Sequence, residues 1–340
     1  MPMFLAFLTM LIVSIGVDGA AQTKPLSGPR MENIRRLTAE GDGGEPYWSF
    51  DGTKIIFQAK RGDQKFDQIY MMNADGSDQH MVSTGRGRTT CSYFFPDGRS
   101  FLYASTHDRK DKQPEPPSGY GKGGSYTWAF DTGLDIFVAD LSGKILRKLA
   151  ESPGYDAEAT VSPRGDRIVF TSDRDGDLEI YSMNLDGTDV KRLTFEKGYD
   201  GGAFFSPDGS RIIYRGSRTE DYRSLQIYVM NADGSNKRQI THGAGNTTSF
   251  APSWHPDGRR VVFCSNMNAT PDNRGNFELY LVTVDAPDGS PEATPFRLTD
   301  YPGFDGFPVF SPNGKTLAFA SNRGGSDPYQ TSVFIADFVE

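Results

Sequence analysis

Three short motifs hold most of the chemistry this chain can offer: Gly154-Tyr155-Asp156, Gly198-Tyr199-Asp200 and Gly303-Phe304-Asp305. Each sets a carboxylate directly after an aromatic ring. Two further acids, Glu45 and Glu158, stand two residues beyond the same place in their own copies of the pattern. Carboxylates that converge from several copies of one unit can bind a hard cation such as Ca²⁺, or a basic group of a partner. The competing reading gives each Asp to backbone N–H groups of a neighbouring unit and each ring to packing between units. The segment Asp173 to Glu179 (DRDGDLE) resembles part of a calcium loop, but it lacks the later bidentate Glu and the flanking helices. Catalytic signatures are scarce, since no GxSxG elbow is present.

The elements that must position these groups follow from a repeat. Turns reading SFDG, FPDG, SPRG, SPDG, HPDG and SPNG end on Gly52, Gly98, Gly165, Gly209, Gly258 and Gly314, most of them 44 to 56 residues apart. Such a turn joins two strands: Pro presets φ, Asp or Asn binds its own backbone, and Gly supplies positive φ. After each turn comes an apolar triplet, such as Ile55-Ile56-Phe57 or Ile212-Ile213-Tyr214, then an Ile-Tyr type strand, then an RLT-like strand. Four strands per period of about 45 residues predict a β-propeller blade. Six copies predict an all-β, six-bladed β-propeller of four-stranded antiparallel blades. The first RLT-like element, Ile34 to Thr38, has no blade before it, and the last strand, Val333 to Asp337, has no RLT partner after it. The two ends are therefore expected to pair, completing the last blade and removing an exposed sheet edge.

Because strands in a blade alternate direction, the tight Gly turns fall on one rim and the irregular connections on the other. The second rim is the expected binding face. Its longest connection, Thr106 to Leu134, brings Tyr126 and Trp128 among glycines, a composition suited to ligand contact or to a flap over the channel. In repeat register Asp156, Asp200 and Asp305 share a height with Thr89 and Ser249. Of the four histidines, only His107 and His242 can meet on this rim. The expected ligand site is thus bordered by Tyr126, Trp128, Asp156, Asp200, His242 and Asp305, with no catalytic residue assigned.

Composition narrows the rest. A net charge of −8 argues against a nucleic-acid partner. The apolar run from Phe4 to Val17, followed by Gly19-Ala20-Ala21, predicts a secretory signal over residues 1–21. A short linker over 22–33 and a propeller over 34–340 follow, with no transmembrane segment after cleavage. Cys91 and Cys264 fall in blades 2 and 5, too far apart for a disulfide.

The SPDG turns, the IYxMNADG strands (Asn73 and Asn231 open their NADG turns) and the RLT strands resemble the WD40-like PD40 repeats of the TolB family. The resemblance spans about 300 residues. It implies a periplasmic or secreted, non-enzymatic monomer that binds a protein or peptide at one channel mouth, as TolB binds the envelope lipoprotein Pal. A role in the cell envelope or in biopolymer transport goes with it. The TolB-type α/β domain is not expected here, since about ten residues separate the signal from the first strand. No cofactor is implied, a divalent cation such as Ca²⁺ in the channel being the one the acids would allow. The alternative is a metal-assisted enzyme on envelope or extracellular carbohydrate, of the oligogalacturonate-lyase type, for which two histidines are few unless acids supply the other ligands.

Overall fold

A computed structural model describes residues 28–39, 41–109, 133–218, 224–243, 245, 247–270, 272–273, 275–287, 289–327 and 330–340. Among them stand twenty-four strands in six four-stranded antiparallel sheets and one 3₁₀ turn, Pro291–Ala293. The innermost strands are Gly44–Trp48, Thr89–Phe94, Asp156–Val161, Tyr199–Phe205, Ser249–Trp254 and Asp305–Phe310. Five sheets use their strands in chain order. The sixth joins both ends of the chain, as expected: Arg30–Arg36 lies beside Ser332–Val339 as its outermost strand. Pairing runs from Arg30 opposite Val339 to Arg36 opposite Phe334, and Leu37 N donates to Val333 O at 2.8 Å. The strand starts at Arg30, four residues before the expected Ile34, so residues 30–32 pair instead of linking. Polar RMEN hides this because an outer strand carries little apolar alternation, and a bulge at Asn33 (φ 52°) interrupts the ladder.

The turns form for the expected reasons. In the first, Gly52 N donates to Ser49 O at 2.9 Å while Asp51 Oδ1 accepts from Thr53 N and from Ser49 Oγ. In blades 1 to 4 the second turn leans on its neighbour. A Cβ at Gly143 or Gly187 would lie 2.6 Å from the carbonyl oxygen of Val82 or Leu149 in the blade before, so glycine is needed there twice over, for φ and for space. The second strands are buried on both faces: Ile55, Ile56, Phe57, Ile212, Ile213 and Tyr214 have no exposed surface. Their side chains fill the seams between blades, for example Ile55 and Phe57 with Val333 and Ile335 across the closure. No helix among the described residues is long and apolar enough to cross a membrane.

Candidate functional site: an axial cavity and an arginine rim

In all six blades the ladder between the innermost and second strands slips at the same place. The residue at the slip has left-handed backbone in each: Glu45, Cys91, Glu158, Gly202, Ala251 and Phe307, with φ between 47° and 58°. Only one is glycine. A bulge re-aims the side chain it carries, and these six line a small axial cavity of about 30 Å³. Blade 4 differs from the others, because its Gly202 makes room for Arg215 from the second strand. A Cβ on Gly202 would lie 2.2 Å from the Arg215 guanidinium. That guanidinium makes a short ion pair with Glu158 Oε1. Glu158 Oε2 accepts from Tyr199 Oη and Thr171 Oγ1, each at 2.7 Å, and from Gly202 N at 3.0 Å.

Glu45 has no such support. Burial pushes its carboxyl up to about 7, against the pull of Arg215 and a hydrogen bond from the Cys91 thiol, with Glu158 and Asp67 adding to the rise, and its Oε2 meets no hydrogen-bond partner. The Cys91 thiol beside it is pushed well up, first by burial and then by Glu45. The native state therefore binds a proton at Glu45 more tightly than the unfolded chain does. Stability from this group is present below the ordinary Glu value and falls as pH rises towards 7. Asp200, pushed up to about 8 mainly by burial, acts in the same direction. Glu45→Gln is expected to stabilise the protein at pH 8 by about 1–2 kcal/mol and to leave pH 5 nearly unchanged. Melting curves at the two pH values check this, and equal shifts at both would contradict it.

Asp156, Asp200 and Asp305 are fully buried at the start of their strands, and none lines the axial cavity. Each meets an arginine eighteen residues on: Arg174 at 2.9 Å, Arg218 at 2.8 Å, and Arg323 in a short contact. Their aromatic neighbours Tyr155, Tyr199 and Phe304 pack in one core cluster and make parallel bridges to Leu134, Leu178 and Phe277 of the preceding blades. The rings thus pack between blades, as the competing reading had it. Burial pushes Asp305 up despite Arg323.

The arginines form a row on the irregular rim. The residue two beyond the second strand, or one beyond in blade 4 where that strand runs a residue longer, is Arg61, His107, Arg174, Arg218, Met267 and Arg323 in blades 1 to 6. Arg61 lies 4.3 Å from the Tyr70 ring centroid, Arg174 5.0 Å from Tyr181, Arg218 4.8 Å from Tyr228 and Arg323 5.1 Å from Tyr301. His107 instead packs on Phe137, with ring centroids 4.2 Å apart. On the same rim Phe195 is 66% exposed and flanked by Arg192 and Lys237.

His242 is exposed on the connection between blades 4 and 5. Tyr126 and Trp128 lie outside the described residues. Among the described residues no histidine lines the cavity; His255 packs on Phe310 at the tight-turn rim. Cys91 and Cys264 are both free. Sequence reasoning missed Arg215, Gly202 and Cys91. A signal for the first two exists: the copies of Arg215 are Gln58, Ala104, Thr171, Cys264 and Ala320, so a lone Arg coincides with a lone Gly at the bulge.

With this geometry in view, the relatives can be placed. The PD40 family, described as the TolB beta propeller domain, matches residues 126–223. The Tol-Pal system protein TolB of Francisella tularensis subsp. holarctica (strain OSU18) is 30% identical over 117 residues, 34% of this chain and 23% of that protein. The chain thus spans about a quarter of the length of the curated relatives it matches. TolB from Acinetobacter baumannii is similar in structure, with TM-score 0.62 and 20% identity over 85% of this chain and 64% of that one. Oligogalacturonate lyase from Vibrio parahaemolyticus follows with TM-score 0.52 and 14% identity over 91% and 96%. At those identities both likenesses speak to the fold alone. Six closed four-stranded blades make this chain a six-bladed β-propeller, and its matched repeats are similar to the TolB beta propeller domain.

Proposed function

We propose that this chain is a non-enzymatic binding propeller of the periplasm or cell exterior that recognises a protein or peptide on its irregular rim, an envelope lipoprotein being the foremost class of partner. The observation that carries this reading is the contrast between the rims. One is built of six short turns closed on their own hydrogen bonds. The other bears the long connections, the exposed Phe195 and four arginines held over aromatic rings. Arginine and aromatic anchors are the side chains that dominate protein recognition, and a guanidinium already fixed by a buried Asp loses little freedom on binding. The partner would meet the arginine faces, with Asp156, Asp200 and Asp305 behind them, beside His242. The Tol-Pal name of the curated relatives supports an envelope setting.

The lyase-type alternative rests on fold likeness alone and finds no histidine at the axis among the described residues. The test is affinity capture from an envelope extract with the mature chain and with a Phe195→Ser, Arg218→Ala variant. One protein enriched by the wild type and lost with the variant is expected. Equal enrichment by both would overturn the rim assignment.

A further inference from the structure

Between blades 3 and 4, away from the axial cavity, three carboxylates meet. Glu179 opens the third strand of blade 3 (Glu179–Asn184), Glu196 lies in the connection between the blades, and Asp200 belongs to the innermost strand of blade 4. One oxygen from each lies within 4.8 Å of the other two. Glu179 and Asp200 are fully buried. Asp200 Oδ1 accepts from Arg218 and Glu179 Oε1 from Arg192 at 2.7 Å, yet Asp200 Oδ2 and Glu179 Oε2 have no hydrogen-bond partner, although the Thr194 hydroxyl stands beside Glu179.

The equivalent places elsewhere in the ring are filled differently. Between blades 5 and 6, Glu278 Oε2 accepts from Thr299 Oγ1 at 2.7 Å and Oε1 from Arg297 at 2.6 Å, and Tyr301 stands where Glu196 would. Between blades 2 and 3, the Lys148 ammonium sits 2.8 Å from Asp135, and Ser152 takes the third place. Open buried oxygens recur in these copies, at Asp135 Oδ1, Asp156 Oδ2 and Asp305 Oδ1; among the described residues the blade 3–4 copy alone brings one oxygen from each of three carboxylates within 4.8 Å of the others. Buried carboxylate oxygens without a donor are costly, and two of them beside a third carboxylate favour a further positive charge in addition to Arg192 and Arg218. Lys237 reaches Glu196 only at 3.7 Å.

We propose that Glu179, Glu196 and Asp200 hold one hard divalent cation, Ca²⁺ or Mg²⁺. An all-oxygen, all-carboxylate donor set suits these ions over the softer metals, with water completing the shell. The ion ties the connection bearing Phe195 to the innermost strand of blade 4, and so fixes the rim beside Arg218. The site does not depend on what the rim binds.

The test uses the mature chain, stripped with EDTA and titrated separately with CaCl₂ and MgCl₂ by calorimetry, with melting followed in parallel. One equivalent of at least one ion is expected to bind at about 1 mM or tighter, raising the melting temperature by several degrees. Glu196→Gln, at the partly exposed corner, should weaken binding at least tenfold while leaving the metal-free melting temperature within a degree of wild type. Two results would overturn the proposal: no stoichiometric binding of either ion, which would leave a shared proton as the partner of the open oxygens, or binding that Glu196→Gln leaves unchanged. Neither bears on capture of a partner by the rim.

Discussion

A chain lacking residues 22–38 is expected to melt about 5–10 °C below the full mature chain and to aggregate on warming. The deletion removes the outer strand Arg30–Arg36 from the sheet that closes the ring. With it go the five paired residues, the Arg36 Nη2 bond to Arg323 O at 2.7 Å and the Thr38 Oγ1 acceptor for Val333 N at 3.0 Å. Leu37 also leaves the closure cluster. Ser332–Val339 then becomes a bare edge of eight residues, open to pairing with another copy. Calorimetry and light scattering on the two chains decide the matter. Equal melting temperatures would mean that the closure adds nothing to stability.

The second large effect belongs to the axis. Arg215→Met is expected to cost about 3–5 kcal/mol, because it leaves Glu158 buried with no cation against it. The pair itself is not assumed to be stabilising, only the broken half to be costly. Glu158→Gln combined with Arg215→Met should therefore recover most of the loss, since the remaining amide can still accept from Tyr199 and Thr171. Denaturant unfolding of the two single variants and the double gives the coupling directly. Additive losses would contradict the account, since they would mean that Arg215 and Glu158 act separately.

Much of the architecture was legible because a propeller repeats its backbone chemistry. Pro-Asp-Gly turns, apolar triplets and the unpaired strands at each end are local signals, and each has a single stable arrangement. The axial site was not legible for a definable reason. Glu45, Cys91, Glu158, Gly202, Ala251 and Phe307 share a backbone conformation and no residue type. Alternation with period two carries no mark of a one-residue slip, so the carboxylates of the Gly-Tyr-Asp motif looked better placed for the channel than the residues two further on. The arginine row was half visible. Asp156, Asp200 and Asp305 each have an Arg eighteen positions later, a spacing that gains meaning only once the strands between are in register. The 3–4 carboxylate group draws on three separate elements, so no local window of sequence contains it.

The central claim is that recognition happens on the irregular rim. The most direct measurement places a photo-cross-linking residue at one position at a time in the mature chain: at Phe195 and His242 on that rim, and at Asp97 and Asp208 in the tight turns opposite. After illumination in the native envelope, a discrete cross-linked species is expected from Phe195 and His242 and none from Asp97 and Asp208. Cross-links from the tight-turn positions alone would contradict the claim.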